Sequence, residues 1–135
     1  MKYTIEDLGL LVKRVQHRHH RGIDTGLAAM GISLVQWNAL REIARNPDAS
    51  MHRLAELSFN SDQAFGTLTT RLMRTGLVER FQGAGRVTHH RLTPKGTELL
   101  REGRKLVTKM LARSFVPLDE EERDTLGRLL AKLLS

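Results

Sequence analysis

The chain has 135 residues, with 22 Lys and Arg against 15 Asp and Glu, and a formal charge of +7. That length suits one domain, and 40% apolar with 27% charged residues is a globular composition. The absence of cysteine excludes a disulfide framework, thiolate zinc sites and thiol redox switching. No apolar run approaches the ~20 residues of a membrane span. The first ten residues carry Glu6 and Asp7 rather than a basic-then-apolar leader. The expectation is a cytoplasmic protein with no membrane partner. No Gly-rich phosphate motif of the Walker or dinucleotide type is present, and aromatic residues at 4% leave little material for stacking single strands. Residues 51–96 hold seven basic side chains against three acidic ones, more than half of the excess charge. Such a segment is either a polyanion-binding surface or a solubilising one.

The first helix is expected from about Thr4 to the high twenties, on the stripe Ile5, Leu8, Val12, Val15, His19 and Ile23. Gly22 and Gly26 weaken its later part and allow a bend, and Gly31 ends it. Ser33-Leu34-Val35-Gln36 is a capping-box pattern. It opens a second helix with inner face Trp37, Leu40, Ile43 and Ala44, stopped by Asn46-Pro47-Asp48. Ser50 caps a short third helix with Leu54, Ala55 and Leu57 inward. After a turn at Phe59-Asn60, Ser61 caps a fourth, with Asp62 at its positive end. Its inward residues are Phe65, Leu68, Thr69 and Leu72, and Gly76 stands where the helix should close. This short pair reads as a helix-turn-helix.

A hairpin follows, with strands at 77–82 and 86–92 and a Gly83-Ala84-Gly85 tip. Two strands alone are marginal in water, so the hairpin must lean on the helices. Thr93-Pro94 opens a fifth helix, striped by Leu99/Leu100, Leu106/Val107, Met110/Leu111 and Phe115, which Pro117 breaks. Asp119 and Glu122 form a capping box for a last helix with the seam Leu126, Leu129/Leu130 and Leu133/Leu134. The fold class is therefore mainly α with a small β-hairpin. Neither an internal repeat nor a low-complexity linker interrupts it.

On a wheel of ~100° per residue, Gln63, Thr67, Thr70 and Arg74 lie opposite the buried stripe of the fourth helix. That outer face carries amide, hydroxyl and guanidinium groups and no carboxylate. It has the chemistry to read base edges and phosphates in a major groove, against the plainer reading of a solvated helix face. Gly66 inside this helix is unfavourable by ~1 kcal/mol relative to Ala; close approach to a phosphate is one reason to keep it. Arg86 beside the small hairpin tip fits a narrow minor groove, or is a solvent-facing arginine. The leucine-rich last helix offers more apolar surface than one neighbour needs. A two-fold dimer buries such a surface, as does an intramolecular helix pair.

Several strings resemble the MarR (multiple antibiotic resistance regulator) family of winged helix-turn-helix transcription factors. They are Leu34-Val35-Gln36-Trp37, Leu54-Ala55-Glu56-Leu57, 72–80, Leu92-Thr93-Pro94-Lys95-Gly96 and the terminal Glu121-Glu122-Arg123 with Leu126, Leu129 and Leu130. The resemblance covers nearly the whole chain, in the family order. It implies a single domain over 1–135, with a winged helix-turn-helix lobe at 33–96 and dimerisation helices at 1–32 and 97–135. It also implies a homodimer on palindromic double-stranded DNA, often with a small-molecule pocket between the layers. By matching position Ser61, Gln63, Ala64, Thr67 and Arg71 face the groove, and Arg86 is the wing arginine. The wing is shorter than the family's, and the aspartate that precedes the family's arginine has no counterpart before Arg86.

The expected DNA-contacting set is thus Ser61, Gln63, Ala64, Thr67, Thr70, Arg71, Arg74 and Arg86. The expected dimer contacts are Ile5, Leu8, Leu126, Leu129, Leu130 and Leu133. His17, His19 and His20 are interleaved with Arg18 and Arg21, which disfavours a metal; an anion-binding wall or a basic patch near the dimer layer fits better. His20 is therefore a candidate for the pocket of an anionic or aromatic effector. Trp37 is either core or pocket lining. No catalytic constellation, cofactor or metal site is expected. The leading reading is a transcriptional regulator, a repressor type, and the alternative is a protein-interaction module of the same fold that has lost DNA affinity.

Overall fold

The computed structural model describes residues 2–135 and, for Arg86, the backbone alone. Six helices and one hairpin follow in the order α1 (Ile5–Ala28), α2 (Leu34–Arg45), α3 (Met51–Leu57), α4 (Asp62–Arg74), β1 (Val78–Gln82), β2 (Thr88–Leu92), α5 (Pro94–Phe115) and α6 (Glu120–Leu134). Each helix starts on a side chain that accepts from the third residue's N–H: Thr4, Ser33, Ser50, Ser61, Thr93 and Asp119. These caps satisfy amides that the helix itself leaves free. At Thr4, Ser33 and Asp119 the box is reciprocal, with Asp7, Gln36 and Glu122 returning the bond.

One core joins the elements. Leu27, Leu40, Ile43, Phe65 and Leu72 are fully buried, and Trp37, Leu54, Val78, Leu100 and Val107 complete the cluster. The indole Nε1 of Trp37 donates to the Leu100 carbonyl at 3.2 Å, tying α2 to α5. An Asp24 oxygen accepts from the Leu34 amide at 2.8 Å, fastening the end of α1 to the start of α2. The hairpin is antiparallel, registered from Val78 opposite Leu92 to Gln82 opposite Thr88. It leans on α2, α4 and α5, as its small size requires.

The structure departs from the sequence reading in three places and adds to it in a fourth. Gly22 and Gly26 produce no break in α1; they let α5 approach, with Met110 and Leu106 packed on their α-carbons. Ala44, expected inward, is exposed in the last turn of α2. Ala39 and Glu42 are buried instead, because α2 is contacted on several sides, by α1, α3, α4, α5 and β2. Glu42 keeps its charge partnered by Arg41 at 3.2 Å and by the Asn46 amide at 3.1 Å. The return strand begins at Thr88 rather than at 86, since Ala84–Arg86 form a single 3-10 turn with Gly85 at φ 69°. Finally, Gly96 and Gly103 are core positions: α5 crosses so closely that a Cβ would collide with the Leu77 carbonyl oxygen and the Trp37 indole respectively.

The outer helices have unpartnered faces. In the N-terminal half of α1, Ile5, Leu8, Leu11, Val12 and Val15 are all exposed, while only Ile23 and Leu27 are buried. No residue of α6 is buried at all. Among the described residues, no helix is long and apolar enough to cross a membrane.

Candidate nucleic-acid interface

α3 and α4 pack through Leu54, Ala55, Phe65 and Leu72, and the turn between them is tight. Phe59 adopts φ 60° there, a left-handed conformation uncommon for a bulky residue, and its ring is 94% exposed. The Asn60 amide closes the turn on the Ala55 carbonyl at 2.8 Å. Phe65, Thr69 and Leu72 face inward and hold α4 on the core. Ser61, Gln63, Ala64, Thr67, Thr70, Arg71 and Arg74 are all exposed. Seven of the eight residues expected to meet DNA thus lie on one accessible side of one helix.

The hydrogen bonding of that side is specific. Thr67 Oγ1 donates to the Gln63 carbonyl at 3.1 Å, and Thr70 Oγ1 to the Gly66 carbonyl at 2.9 Å. Their hydroxyl protons are therefore engaged within the helix, which leaves oxygen lone pairs and methyl groups to an incoming partner. Arg71 and Arg74 have no carboxylate within ion-pair distance among the described residues, and neither has Arg80 on β1. The nearby acids are engaged elsewhere: Asp62 with His52 Nδ1 at 2.9 Å, and Glu79 with Arg91 Nε at 2.7 Å. The hydrogen bond to Asp62, its negative charge and that of Glu56 hold His52 above its ordinary pKa of 6.5. The result is a face of free guanidiniums with its carboxylates neutralised at the margin.

Arg86 has its backbone in the 3-10 turn at the hairpin tip; its side chain, and with it the expected minor-groove contact, lies outside the described residues. Below the tip, Arg91 stacks over Phe81 at 4.7 Å and His89 packs against the same ring. His90 is buried, and its pKa is pushed below 6.5, first by that burial and then by Arg80 and His89.

Sequence reasoning missed Met51 and Arg80, and it singled out Gly66 only for close approach to a phosphate. Together with Thr70, Arg71 and Arg74 they line a cleft of about 540 Å³ between α4 and β1. Strand periodicity puts Arg80 on the same face of β1 as the buried Val78, yet Arg80 is exposed; nothing in the sequence announced that it meets α4.

The effector and dimer candidates separate in the structure. Trp37 is only 2% exposed, a core residue with Arg41 stacked over its ring at 5.4 Å. His20 is half-buried. The cavities along α1 are lined by its neighbours instead. One groove of about 940 Å³ has Lys13, Arg14, His17, Arg18 and Arg21 on its wall. A smaller one of about 350 Å³ lies between α1 and α5, with Arg18, His19 and Arg113 around Ile23, Met110 and Leu111. His19 Nε2 sits 2.6 Å from Ser114 Oγ. No group of three potential metal ligands occurs among the described residues. Of the expected dimer contacts, Ile5, Leu8, Leu129, Leu130 and Leu133 are exposed and Leu126 is half-buried.

Comparison with known proteins meets the same architecture. A family model described as "MarR family" matches residues 30–86, from the end of α1 through the hairpin tip. The HTH-type transcriptional repressor Rv2887 of Mycobacterium tuberculosis is 27% identical over 128 residues, 93% of this chain and 92% of that protein. The crystal structure of that protein with p-aminosalicylic acid superposes with a TM-score of 0.80 at 27% identity, covering 95% of this chain and 98% of the other. A mutant MarR from E. coli, complexed with operator DNA, gives a TM-score of 0.85 at 24% identity over 95% and 94% of the two chains. In its central lobe, over most of its length and in its path through space, the chain is similar to transcriptional regulators of the MarR family.

Proposed function

We propose that this chain is a duplex DNA-binding transcriptional repressor without catalytic activity, a cytoplasmic homodimer that reads a palindromic site and responds to a small anionic, aromatic effector. The observation that carries this reading is the outer side of α4, where Gln63, Ala64, Thr67, Thr70, Arg71 and Arg74 are exposed together with no free carboxylate among them. Gln and Arg supply base-edge and phosphate donors, and threonine methyls suit thymine. The mycobacterial repressor of matching length supports the sign of regulation.

The dimer is supported by α6. A helix with no buried residue and with Leu129, Leu130, Leu133 and Leu134 exposed has no reason to fold against its own subunit alone. Two-fold pairing through α1 and α6 would place two copies of α4 ~34–36 Å apart, one turn of duplex. The effector is supported by the cavity between α1 and α5, an apolar floor rimmed by Arg18, His19 and Arg113. It fits a ring bearing a carboxylate, and the mycobacterial relative was crystallised with such a molecule.

Selection of bound duplexes from a random pool tests the reading directly. The expected product is an inverted repeat with half-sites about one helical turn apart. With that duplex, Arg74→Ala and Arg86→Ala should weaken binding and flatten its salt dependence. Gln63→Ala should relax preference at one position of each half-site. Recovery of unenriched sequence, with no salt-sensitive binding, would leave a protein-interaction module as the better account.

A further inference from the structure

We propose that the cleft between α4 and β1 seats one sugar-phosphate strand of the duplex, and that Gly66 is the residue that admits it; the inference rests on the DNA-binding reading above. Arg71 and Arg74 come to the cleft from α4, and Arg80 comes from β1. None of the three has a carboxylate partner among the described residues. Three converging guanidiniums in a concave surface suit the acceptor oxygens and charges of successive phosphodiesters along a strand. Arg80 therefore acts as an anchor from outside the recognition helix, fixing how α4 lies in the groove.

Gly66 gives the second, independent observation. It sits inside a helix of 13 residues, where glycine is unfavourable. Four helical glycines have a neighbour that explains them: a Cβ would strike the Leu77 carbonyl at Gly96 and the Trp37 indole at Gly103, and would lie 2.8 Å from Leu106 at Gly26 and 3.2 Å from Met110 at Gly22. Gly9 and Gly127, like Gly66, have none, but they lie on the outer helices α1 and α6, outside this cleft. At Gly66 a Cβ would meet no atom of the chain within 4 Å. Its φ is not positive either, so the backbone does not call for glycine. The residue is pinned in regular helix by its own carbonyl, which accepts from Thr69 at 3.0 Å and Thr70 at 2.9 Å. Neither packing nor conformation in the free protein demands the missing side chain. The space it leaves belongs to the cleft, and a Cβ there would take up room that a strand seated against the helix backbone needs.

The test uses the full chain and the duplex recovered from the random pool. Fluorescence anisotropy at two salt concentrations and thermal melts are measured for the parent, Gly66→Ala, Gly66→Leu and Arg80→Gln. Gly66→Ala should melt higher than the parent and yet bind at least tenfold more weakly, and Gly66→Leu more weakly still. Arg80→Gln should lower affinity and reduce the salt slope by about one. A Gly66→Ala protein that melts higher and binds like the parent overturns the proposal, as does an Arg80→Gln protein with the parent's salt slope. A parent that binds no duplex brings down the functional reading, and this inference with it; a parent that binds while the variants match it brings down this inference alone.

Discussion

Glycine means different things at different positions of this chain, and substitution separates the meanings. At Gly66 the free protein has room for a methyl group, so Gly66→Ala should raise unfolding stability by ~1 kcal/mol in denaturant melts. At Gly96 a Cβ would press into the carbonyl oxygen of Leu77, a backbone atom already held by the Thr93 amide at 3.1 Å. Gly96→Ala should therefore lower stability by ~1–3 kcal/mol, the range of an overpacked core, and loosen the joint between α5 and the hairpin. A single melt series on the two variants checks both signs. Sequence periodicity could not tell these glycines apart. Each sits within a helix, and what distinguishes them is an atom tens of residues away along the chain. The same limit hid the role of Arg80, whose neighbours come from α4. By contrast the caps at Ser33, Ser61, Thr93 and Asp119 were legible, because donor and acceptor lie within three residues of each other.

At the scale of elements, two histidines couple pH to the lobe that carries α4, with opposite sign. His52 ties α3 to the first turn of α4 through Asp62, and its pKa is raised. Its contribution is complete below about 6.5 and is lost as pH climbs through the raised value. His90 anchors β2 in the core with its pKa depressed. Its stabilising effect is present above 6.5 and fades as pH falls, because the unfolded ring takes a proton first. Melting temperatures across pH 4–9 should thus show an alkaline loss removed in His52→Gln and an acid loss removed in His90→Leu, each variant leaving the other limb intact. Of these elements the helix-turn-helix was readable from spacing, since Phe65, Leu68, Thr69 and Leu72 mark the inward side of α4 without ambiguity. The hairpin was readable in outline but not in length. Gly85 at positive φ turns the chain inside a 3-10 step, and that step removes Arg86 and Val87 from the strand. Ala44 failed as a core residue because periodicity knows nothing of where a helix runs out of neighbours.

Across the whole molecule, two apolar surfaces await cover, one on the N-terminal half of α1 and one on α6. Exposed apolar area of this extent is rare on a protein that works alone. Sedimentation equilibrium should report a dimer at micromolar concentration, and Leu130→Glu with Leu133→Glu should yield monomers. Those monomers should also bind duplex far more weakly, since the second half-site contact is no longer intramolecular. A parent chain that sediments as a monomer would remove the basis for palindromic recognition. The path of α1 gives this arrangement a mechanical consequence. The helix is one unbroken rod of 24 residues, about 36 Å long at 1.5 Å per residue. Its far end is clasped to α2 by Asp24. A rod of that length tilted by about 5° shifts its tip by about 3 Å, close to the ~3.4 Å rise between successive nucleotides of a strand. In the proposed dimer a small rotation where the subunits meet would thereby be geared into a whole step of misregistry at the operator, enough lever arm for a bound effector to loosen the grip without unfolding anything.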